Sequence, residues 1–265
     1  MREILIFCSD PSGLYHNPIK EFKWTTTNYK KDDVVVYTDK MIMRKDKIGK
    51  IKIAWIFEPP EINPQVYDYI KKNYIEFDYI FTWVKELLSI DDRFKFTTYG
   101  TSWIPEKDYA IYEKSKLVSI VSSGKNQLPG HILRHQAIKS FNNMDVFGRG
   151  YNPIQSLLVA YKDHMFTVVI ENVKTDCNMS EKLITPLLCG TIPIYYGCPS
   201  VGDYFDMNGI LTFDTLDDLK IILNSLTEQK YHDMIDSVKI NFERAKSHQL
   251  ADDMFFHNLK KLGIL

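Results

Sequence analysis

Short apolar runs alternate with amphipathic stretches along the whole chain, which is the pattern of an α/β architecture. The apolar runs predict strands near Glu3–Cys8, Val34–Thr38, Lys52–Phe57, Tyr79–Trp83, Lys95–Thr98, Leu117–Ser122, Asp145–Phe147, Thr167–Ile170, Thr191–Tyr195 and Ile210–Phe213. The amphipathic stretches predict helices near Pro64–Asn73, Gly130–Phe141, Pro153–Ala160, Ser180–Cys189 and Leu216–Leu226, followed by a helical tail from Gln229 to Leu262.

One stretch interrupts this alternation and marks a domain junction. Ile104–Lys116 is charged and only weakly periodic. We therefore expect two Rossmann-like α/β domains, residues 1–110 and 111–265, that face each other across a cleft. The C-terminal helices are candidates for packing back on the first domain.

Composition narrows the class of protein. The chain has 265 residues, 45% of them hydrophobic, which suffices for one large core or two small ones. Its 33 basic and 34 acidic residues show no excess of positive charge, so we expect no nucleic-acid partner. The longest apolar runs cover no more than about half a membrane span, and the first residues are typical of a strand rather than a signal peptide. We expect a soluble, cytoplasmic protein.

The cysteines suggest no metal site. They lie at 8, 177, 189 and 198, without the paired spacing of zinc ligands. The sequence therefore predicts free thiols.

The segment Phe166–Phe205 carries the clearest chemical pattern. An apolar run ends in Glu171-Asn172, Ser180-Glu181-Lys182 follows at a predicted helix start, and a second apolar run comes next. Ligands of open α/β sheets bind beyond the carboxyl ends of strands, and helix N-termini favour anions. These polar residues therefore fall where a sugar nucleotide would bind. Pro186 conflicts with a regular helix after Ser180 and predicts a kink or a restart there.

The same segment resembles the donor-binding signature of the α1,3-fucosyltransferases, glycosyltransferase family 10. That signature is approximately F-x-x-x-F/I-E-N-S, a short loop, Y-x-T-E-K, and small-T-I/V-P-I/V-x-x-G. The resemblance is strong from Phe166 to Leu219, moderate from Gly130 to Gly150, and thin in the first hundred residues. Its matching residues here are Glu171, Asn172, Ser180, Glu181, Lys182, Gly190, Thr191, Ile192, Pro193, Ile194 and Gly197.

The resemblance implies a two-domain GT-B fold and inverting transfer of fucose from GDP-fucose, with no metal bound by a DXD motif. The Asp-Asp pairs of this chain follow no predicted strand, and we interpret them as solvated charges and helix caps. Without a metal, cations and backbone N–H groups must stabilise the leaving diphosphate. Lys182 is placed for this role, with a surface ion pair as the alternative. Glu181 is expected at the sugar nucleotide, Asn172 is expected to orient the donor, and Glu171 to hold the loop.

One position departs from the family pattern. The family has a tyrosine three residues before the Glu-Lys glutamate, where this chain has Asn178. Because of this difference, a nucleotide sugar other than GDP-fucose is an alternative donor.

Further donor-binding residues are expected upstream, where the family has an arginine that binds the diphosphate. Family spacing places His131 near that slot, and Arg134 follows one turn later on the same helical face. We favour Arg134, because its planar guanidinium suits diphosphate oxygens. His131 is either a second ligand or a capping residue, and Arg149 is a weaker candidate.

The transfer also needs a base that deprotonates the acceptor hydroxyl. Glu58 follows a predicted strand and precedes Pro59-Pro60, as a family glutamate does, and Glu61 is the fallback. The tryptophans Trp55, Trp83 and Trp103 are candidates for an acceptor groove, with packing as the commoner fate of such residues.

Two alternatives remain at the sequence level. One is a transferase of the same fold with another nucleotide sugar. The other is a non-catalytic module that binds a nucleotide or carbohydrate. The acceptor cannot be named from these residues, and Lys- and Ile-rich usage suggests a bacterial or viral source.

Overall fold

The computed structural model describes residues 2–8, 22–26, 34–97, 100–247 and 251–264. Its contacts divide the chain into two compact units. Unit 1 contains residues 1–99 and 251–265, and unit 2 contains residues 100–250. The stretch in which the sequence placed the junction therefore lies inside unit 2, where Ile104 is buried and the Ala110 N–H donates to the Leu188 carbonyl at 3.2 Å.

Unit 1 is built on a parallel sheet of six described strands in the order β2-β1-β3-β4-β5-β6. The clearest buried run is apolar and β-branched: Val34, Val35 and Val36 are at most 5% exposed. The strands are β1 Arg2–Phe7, β2 Phe22–Thr25, β3 Val34–Thr38, β4 Ile51–Trp55, β5 Tyr79–Thr82 and β6 Phe94–Phe96. Helices α1 Pro64–Asn73 and α2 Lys85–Leu88 connect strands of this sheet.

A helix from the far end of the chain completes the core of unit 1. This is α9, Ala251–Lys261. Phe255 stacks on Trp55 with ring centroids 4.2 Å apart, and meets Phe81 edge-on at 4.9 Å. Leu259 is also fully buried in this cluster. The last helix of the tail is therefore part of the first unit, whereas the preceding helices belong to unit 2.

Unit 2 contains a parallel sheet in the order β11-β10-β9-β7-β8. Central strand β9 is buried at every position, as expected for a strand covered on both faces. The strands are β7 Lys116–Val121, β8 Asp145–Phe147, β9 His164–Ile170, β10 Ile192–Tyr196 and β11 Leu211–Thr212. The helices are α3 Pro129–Ser140, α4 Leu158–Tyr161, α5 Glu181–Leu187, α6 Leu216–Asn224, α7 Glu228–Asp233 and α8 Ile235–Lys246.

The structure differs from the sequence-based elements in several places. Helix α2 was not predicted, and the predicted helical tail consists of three separate helices, α7, α8 and α9. The edge strand β2 was not predicted, because four residues give too short a pattern. The helix predicted over Pro153–Ala160 is a single turn at Leu158–Tyr161. Helix α5 contains Pro186 but ends one residue later, so the conflict is resolved by early termination rather than by a kink.

Candidate functional site

The sheet of unit 2 has a topological switch point between β7 and β9. From β7 the chain passes through α3 to β8 on one side, whereas from β9 it continues to β10 and β11 on the other. Ligands of open α/β sheets bind at the carboxyl ends of the strands at such a point. Here those ends are Ser122 after β7 and Glu171-Asn172 after β9.

Helix α3 begins directly against the end of β9. The Gly130 N–H donates to the Asn172 carbonyl at 2.9 Å. A Cβ atom on residue 130 would lie 1.8 Å from the Glu171 carbonyl oxygen, so only glycine permits this approach. Pro129 occupies the first helical turn, where its missing N–H costs nothing.

Arg134 of α3 is fixed to the end of β9. Its Nε donates to the Ile170 carbonyl at 2.9 Å and its Nη2 to Asn172 Oδ1 at 2.7 Å. The side chain is buried, and burial lowers its pKa against the opposing effect of Glu171 and Glu181, yet a guanidinium stays charged at neutral pH. The described residues offer no hydrogen-bond partner to Nη1. Arg134 and Asn172 thus form one hydrogen-bonded unit.

His131 lies at the same helix start but is uncharged at neutral pH. Burial lowers its pKa to about 4, with Arg134 and Lys125 adding to the effect. Its Nδ1 accepts a hydrogen bond from the Leu128 N–H at 3.3 Å, as a residue of the first turn does in a capping arrangement. Of the two roles open for His131, this geometry favours the cap over a cationic ligand.

Glu171 anchors the beginning of α5. Its carboxylate accepts the Ser180 N–H at 2.9 Å and the Ser180 hydroxyl at 2.6 Å, and it is 1% exposed. Burial raises the pKa of this carboxyl. Glu171 therefore lies inside the fold and joins the end of β9 to the N-cap of α5, as expected for a residue that holds the loop.

Lys182 sits between two carboxylates. Its Nζ lies 2.8 Å from Glu181 Oε1 and 3.8 Å from Glu171 Oε2, and it donates to Ser180 Oγ at 3.1 Å. Burial opposes its charge, but Glu181 and Glu171 outweigh burial and raise its pKa. Burial likewise opposes ionisation of Glu181, and the ammonium of Lys182 brings that pKa below its usual range. Lys182 is therefore a paired cation, as in the ion-pair alternative, although its partners are buried carboxylates rather than surface ones.

Two further residues were predicted to bind the donor. Asn178 is buried at 6% exposure, in the loop that precedes Ser180. Arg149 is exposed in the loop after β8. The cluster thus contains Arg134, His131, Asn172, Glu181 and Lys182, and Arg149 is not fixed to it by any contact among the described residues.

The predicted base lies in unit 1, on the segment that follows β4. Glu58 is partly exposed, and its backbone carbonyl accepts the Tyr67 hydroxyl at 2.8 Å. The fallback, Glu61, is exposed. Two tryptophans proposed for an acceptor groove are core residues instead, because Trp55 and Trp83 are each 1% exposed. Trp103 is 42% exposed.

Sequence reasoning missed Asp39 beside this segment. Asp39 directly follows β3, is 7% exposed, and accepts the backbone N–H groups of Phe57 and Glu58. The available signal was an acidic residue at the end of an apolar strand, the same signal that identified Glu171.

Within the described ranges, no three His, Cys, Asp or Glu side chains are grouped so that they could bind a metal ion. No helix in those ranges has the length and apolar character required for a membrane crossing.

No protein-family model matches the chain. A segment of 135 residues, 49% of the chain, is 27% identical to alpha-(1,3)-fucosyltransferase B of Drosophila melanogaster and covers 29% of that protein. A segment of 52 residues, 20% of the chain, is 40% identical to GDP-fucose protein O-fucosyltransferase 3 of Bos taurus and covers 10% of it. The chain therefore matches less than a third of either relative.

Solved structures resemble the chain over most of its length. A crystal structure of an α1,3-fucosyltransferase with GDP has a TM-score of 0.57 at 17% identity, and the match covers 88% of this chain and 81% of that one. An α1,3-fucosyltransferase with GDP-fucose has a TM-score of 0.51 at 17% identity, covering 81% and 72%. TarM has a TM-score of 0.53 at 14% identity, covering 87% of this chain and 55% of TarM.

The two parallel sheets and these structural relatives define a GT-B-type α/β fold, which confirms the predicted fold class. In this fold, and over part of its sequence, the chain is α1,3-fucosyltransferase-like.

Proposed function

We propose that the protein is an inverting glycosyltransferase that moves fucose from GDP-fucose to a hydroxyl group of a glycan acceptor, without a bound metal ion. The supporting observation is the cluster at the switch point of unit 2. There Arg134, Asn172 and the Glu181-Lys182 pair meet at the end of β9. These residues correspond to the donor-binding pattern of the α1,3-fucosyltransferases, and one such structural relative was crystallised with GDP-fucose.

In the proposed reaction, the acceptor oxygen forms a bond to the anomeric carbon of fucose while the bond from that carbon to the diphosphate breaks. Attack from the face opposite the leaving group inverts the configuration. The proton of the acceptor hydroxyl passes to the Glu58 carboxylate, and GDP leaves with the bonding electrons.

The charges of the site suit a leaving diphosphate. Arg134 and Lys182 supply positive charge, and two carboxylates keep the Lys182 ammonium protonated. Glu181 is available to a ribose or fucose hydroxyl through its acceptor oxygens. Because Arg134 is held at two points, it needs little reorganisation on binding.

Calorimetric titration of GDP in the presence of EDTA tests the donor site. We expect Lys182→Met to weaken GDP binding about 10- to 100-fold, the worth of a charge-assisted hydrogen bond to an anion. Lys239→Met is the matched control, because Lys239 forms an exposed pair with Asp236 on α8 at 3.1 Å. Equal affinities for both variants and the wild type would contradict this assignment.

Asn178 supports a second candidate donor. A buried amide occupies the position where the family has a tyrosine, so the side chain at this position differs from that of the family. Titration of GDP-fucose against other GDP- and UDP-sugars separates the candidates. If another sugar nucleotide binds more tightly than GDP-fucose, that sugar nucleotide is the donor. The proposed reaction is then still glycosyl transfer, with a different sugar.

Glu58→Gln separates an enzyme from a non-catalytic binding module. The substitution keeps the shape of the side chain and removes its ability to accept the proton. An enzyme should lose transfer by about 100-fold or more and still bind GDP. A variant as active as the wild type would exclude Glu58 as the base.

A further inference from the structure

The backbone of Phe57 and Glu58 is held by side chains rather than by a neighbouring strand. Asp39 Oδ1 accepts both N–H groups, each at 3.1 Å. On the other side, Trp83 Nε1 donates to the Phe57 carbonyl at 2.9 Å, and the Tyr67 hydroxyl donates to the Glu58 carbonyl at 2.8 Å. All the polar backbone groups of this dipeptide are thus fixed by three side chains from separate parts of unit 1.

Asp39 is the acceptor among these three side chains, and its backbone is unusual. It has φ of 44°, in the left-handed region that non-glycine residues seldom adopt and that Asp and Asn tolerate best. Such conformations persist where the surroundings enforce them, and they concentrate at functional sites. Here the conformation places a carboxylate from the end of β3 beneath the segment that follows β4.

The surroundings of Asp39 favour a structural use of its carboxylate over a direct role in catalysis. The side chain is 7% exposed, and Oδ1 already accepts two backbone N–H groups. Burial raises its pKa to about 6, while the two N–H donors act in the opposite direction. Glu58, which follows on the same segment, is the more exposed of the two carboxyl groups.

We propose that Asp39 is a positioning residue that fixes the Phe57–Glu58 backbone, so that the Glu58 carboxylate is presented in one orientation for removal of the acceptor proton. The proposal rests on the proposed transferase function, because it assigns Asp39 a role through Glu58. It goes beyond that function by assigning a role in the chemical step to a residue that acts through the backbone of Glu58.

The kinetic test uses two substitutions that tolerate the left-handed backbone. Asp39→Gly removes the acceptor, whereas Asp39→Asn keeps an oxygen for the same two N–H groups and removes the charge. We expect Asp39→Gly to lower kcat about 10- to 100-fold, with KM for GDP-fucose and the affinity for GDP unchanged. Asp39→Asn should restore kcat to within about threefold of the wild type.

Asp78→Ala is the matched control. Asp78 Oδ2 also accepts a backbone N–H, that of Lys52 at 2.7 Å, but near the other end of β4. We expect it to leave kcat unchanged. If Asp39→Asn is as impaired as Asp39→Gly, the charge of Asp39 itself is required and the positioning role is wrong. If Asp39→Gly turns over like the wild type, Asp39 has no role in the reaction.

Amide hydrogen exchange tests the same proposal without a substrate. The exchange of the Phe57 and Glu58 amides should accelerate at least about tenfold in Asp39→Gly and remain near the wild-type rate in Asp39→Asn, with the rest of β4 unaffected. Uniform acceleration across unit 1, or none, would overturn the positioning role. Absence of wild-type turnover would instead reject the proposed function, so the two failures are distinguishable.

Discussion

Glu171 connects two elements through one buried carboxylate. It accepts both polar hydrogens of Ser180, and Lys182 lies 3.8 Å from its second oxygen. A buried acceptor with two donors and a nearby cation contributes most when all partners are present. At the residue scale, this group holds the beginning of α5, where the proposed donor-binding residues lie, against the end of β9.

Glu171→Ala should therefore destabilise unit 2 by about 2 to 4 kcal/mol, because the Ser180 N–H and hydroxyl lose their acceptor in a buried position. Native-state hydrogen exchange of the β9 amides measures this free energy. Glu171→Gln keeps an acceptor oxygen and should cost less than half as much. Equal losses for the two variants would contradict the role of the hydrogen bonds.

Because of Asp39, the free energy of unfolding of unit 1 should decrease as the pH rises. Its pKa in the folded state is about 6, above the ordinary 3.8, so the native state holds the proton more tightly than the unfolded chain. The stabilisation is fully present below pH 3.8 and is lost as the pH rises through 6. At about 1.4 kcal/mol per pH unit, the loss amounts to at most about 3 kcal/mol.

Asp39→Asn removes this titration. Urea unfolding of unit 1 can be monitored by tryptophan fluorescence at pH 4.5 and at pH 7. The unfolding free energy of the variant, relative to that of the wild type, should be higher at pH 7 than at pH 4.5. A difference in unfolding free energy that stays constant between the two pH values would show that Asp39 is not a buried titrating group.

Helix α3 and strand β9 form the central contact at the element scale. Glycine at position 130 allows the helix start to touch the strand end, and this contact places Arg134 beside Asn172. Two backbone groups meet there, so neither can move aside as a flexible side chain would.

Gly130→Ala should cost about 1 to 3 kcal/mol in unit 2 and weaken GDP binding at least about tenfold, because the helix must withdraw from β9. Gly124→Ala is the control, since a Cβ atom there meets nothing within 4 Å. Thermal unfolding and GDP titration of the two variants provide the comparison. Normal GDP affinity in Gly130→Ala would mean that the position of α3 is not critical for the site.

Most elements could be predicted from local patterns. The buried strands β3 and β9 are continuous apolar runs, and helix α1 was predicted with the bounds that it has. Edge strand β2 is too short for periodicity, and the stretch from Pro153 forms only one helical turn at its end. Periodicity needs a longer run than β2 offers, and a local pattern does not contain the tertiary contacts that limit the length of a helix.

The candidate site was predictable only in part. The order of polar residues after β9 indicated Asn172, Glu181 and Lys182, and helical spacing indicated Arg134. Sequence could not show that Lys182 is already paired or that Asp39 lies beneath Glu58, because both facts depend on contacts between distant segments. The burial of Trp55 and Trp83 in the core could not be predicted either, because it also depends on contacts between distant segments.

At the scale of the whole molecule, the chain ends in the unit in which it begins. Phe255 of α9 is fully buried against Trp55 and Phe81. Phe255→Ala should destabilise unit 1 by about 3 to 5 kcal/mol through the cavity it leaves. Amide hydrogen exchange measured separately for the two units tests this effect. The amides of unit 1 report the destabilisation, and the β9 amides of unit 2 provide the internal control. Equal destabilisation of both units would contradict the division at residues 99 and 251.

The most direct test of the proposed function is turnover of GDP-fucose by the purified protein in the presence of EDTA, with galactose- and N-acetylglucosamine-containing acceptors. We expect release of GDP together with transfer of fucose, at a rate that the chelator does not change. Turnover that EDTA abolishes would contradict metal independence. A protein that neither turns over GDP-fucose nor binds GDP would contradict the assignment of the site at the end of β9.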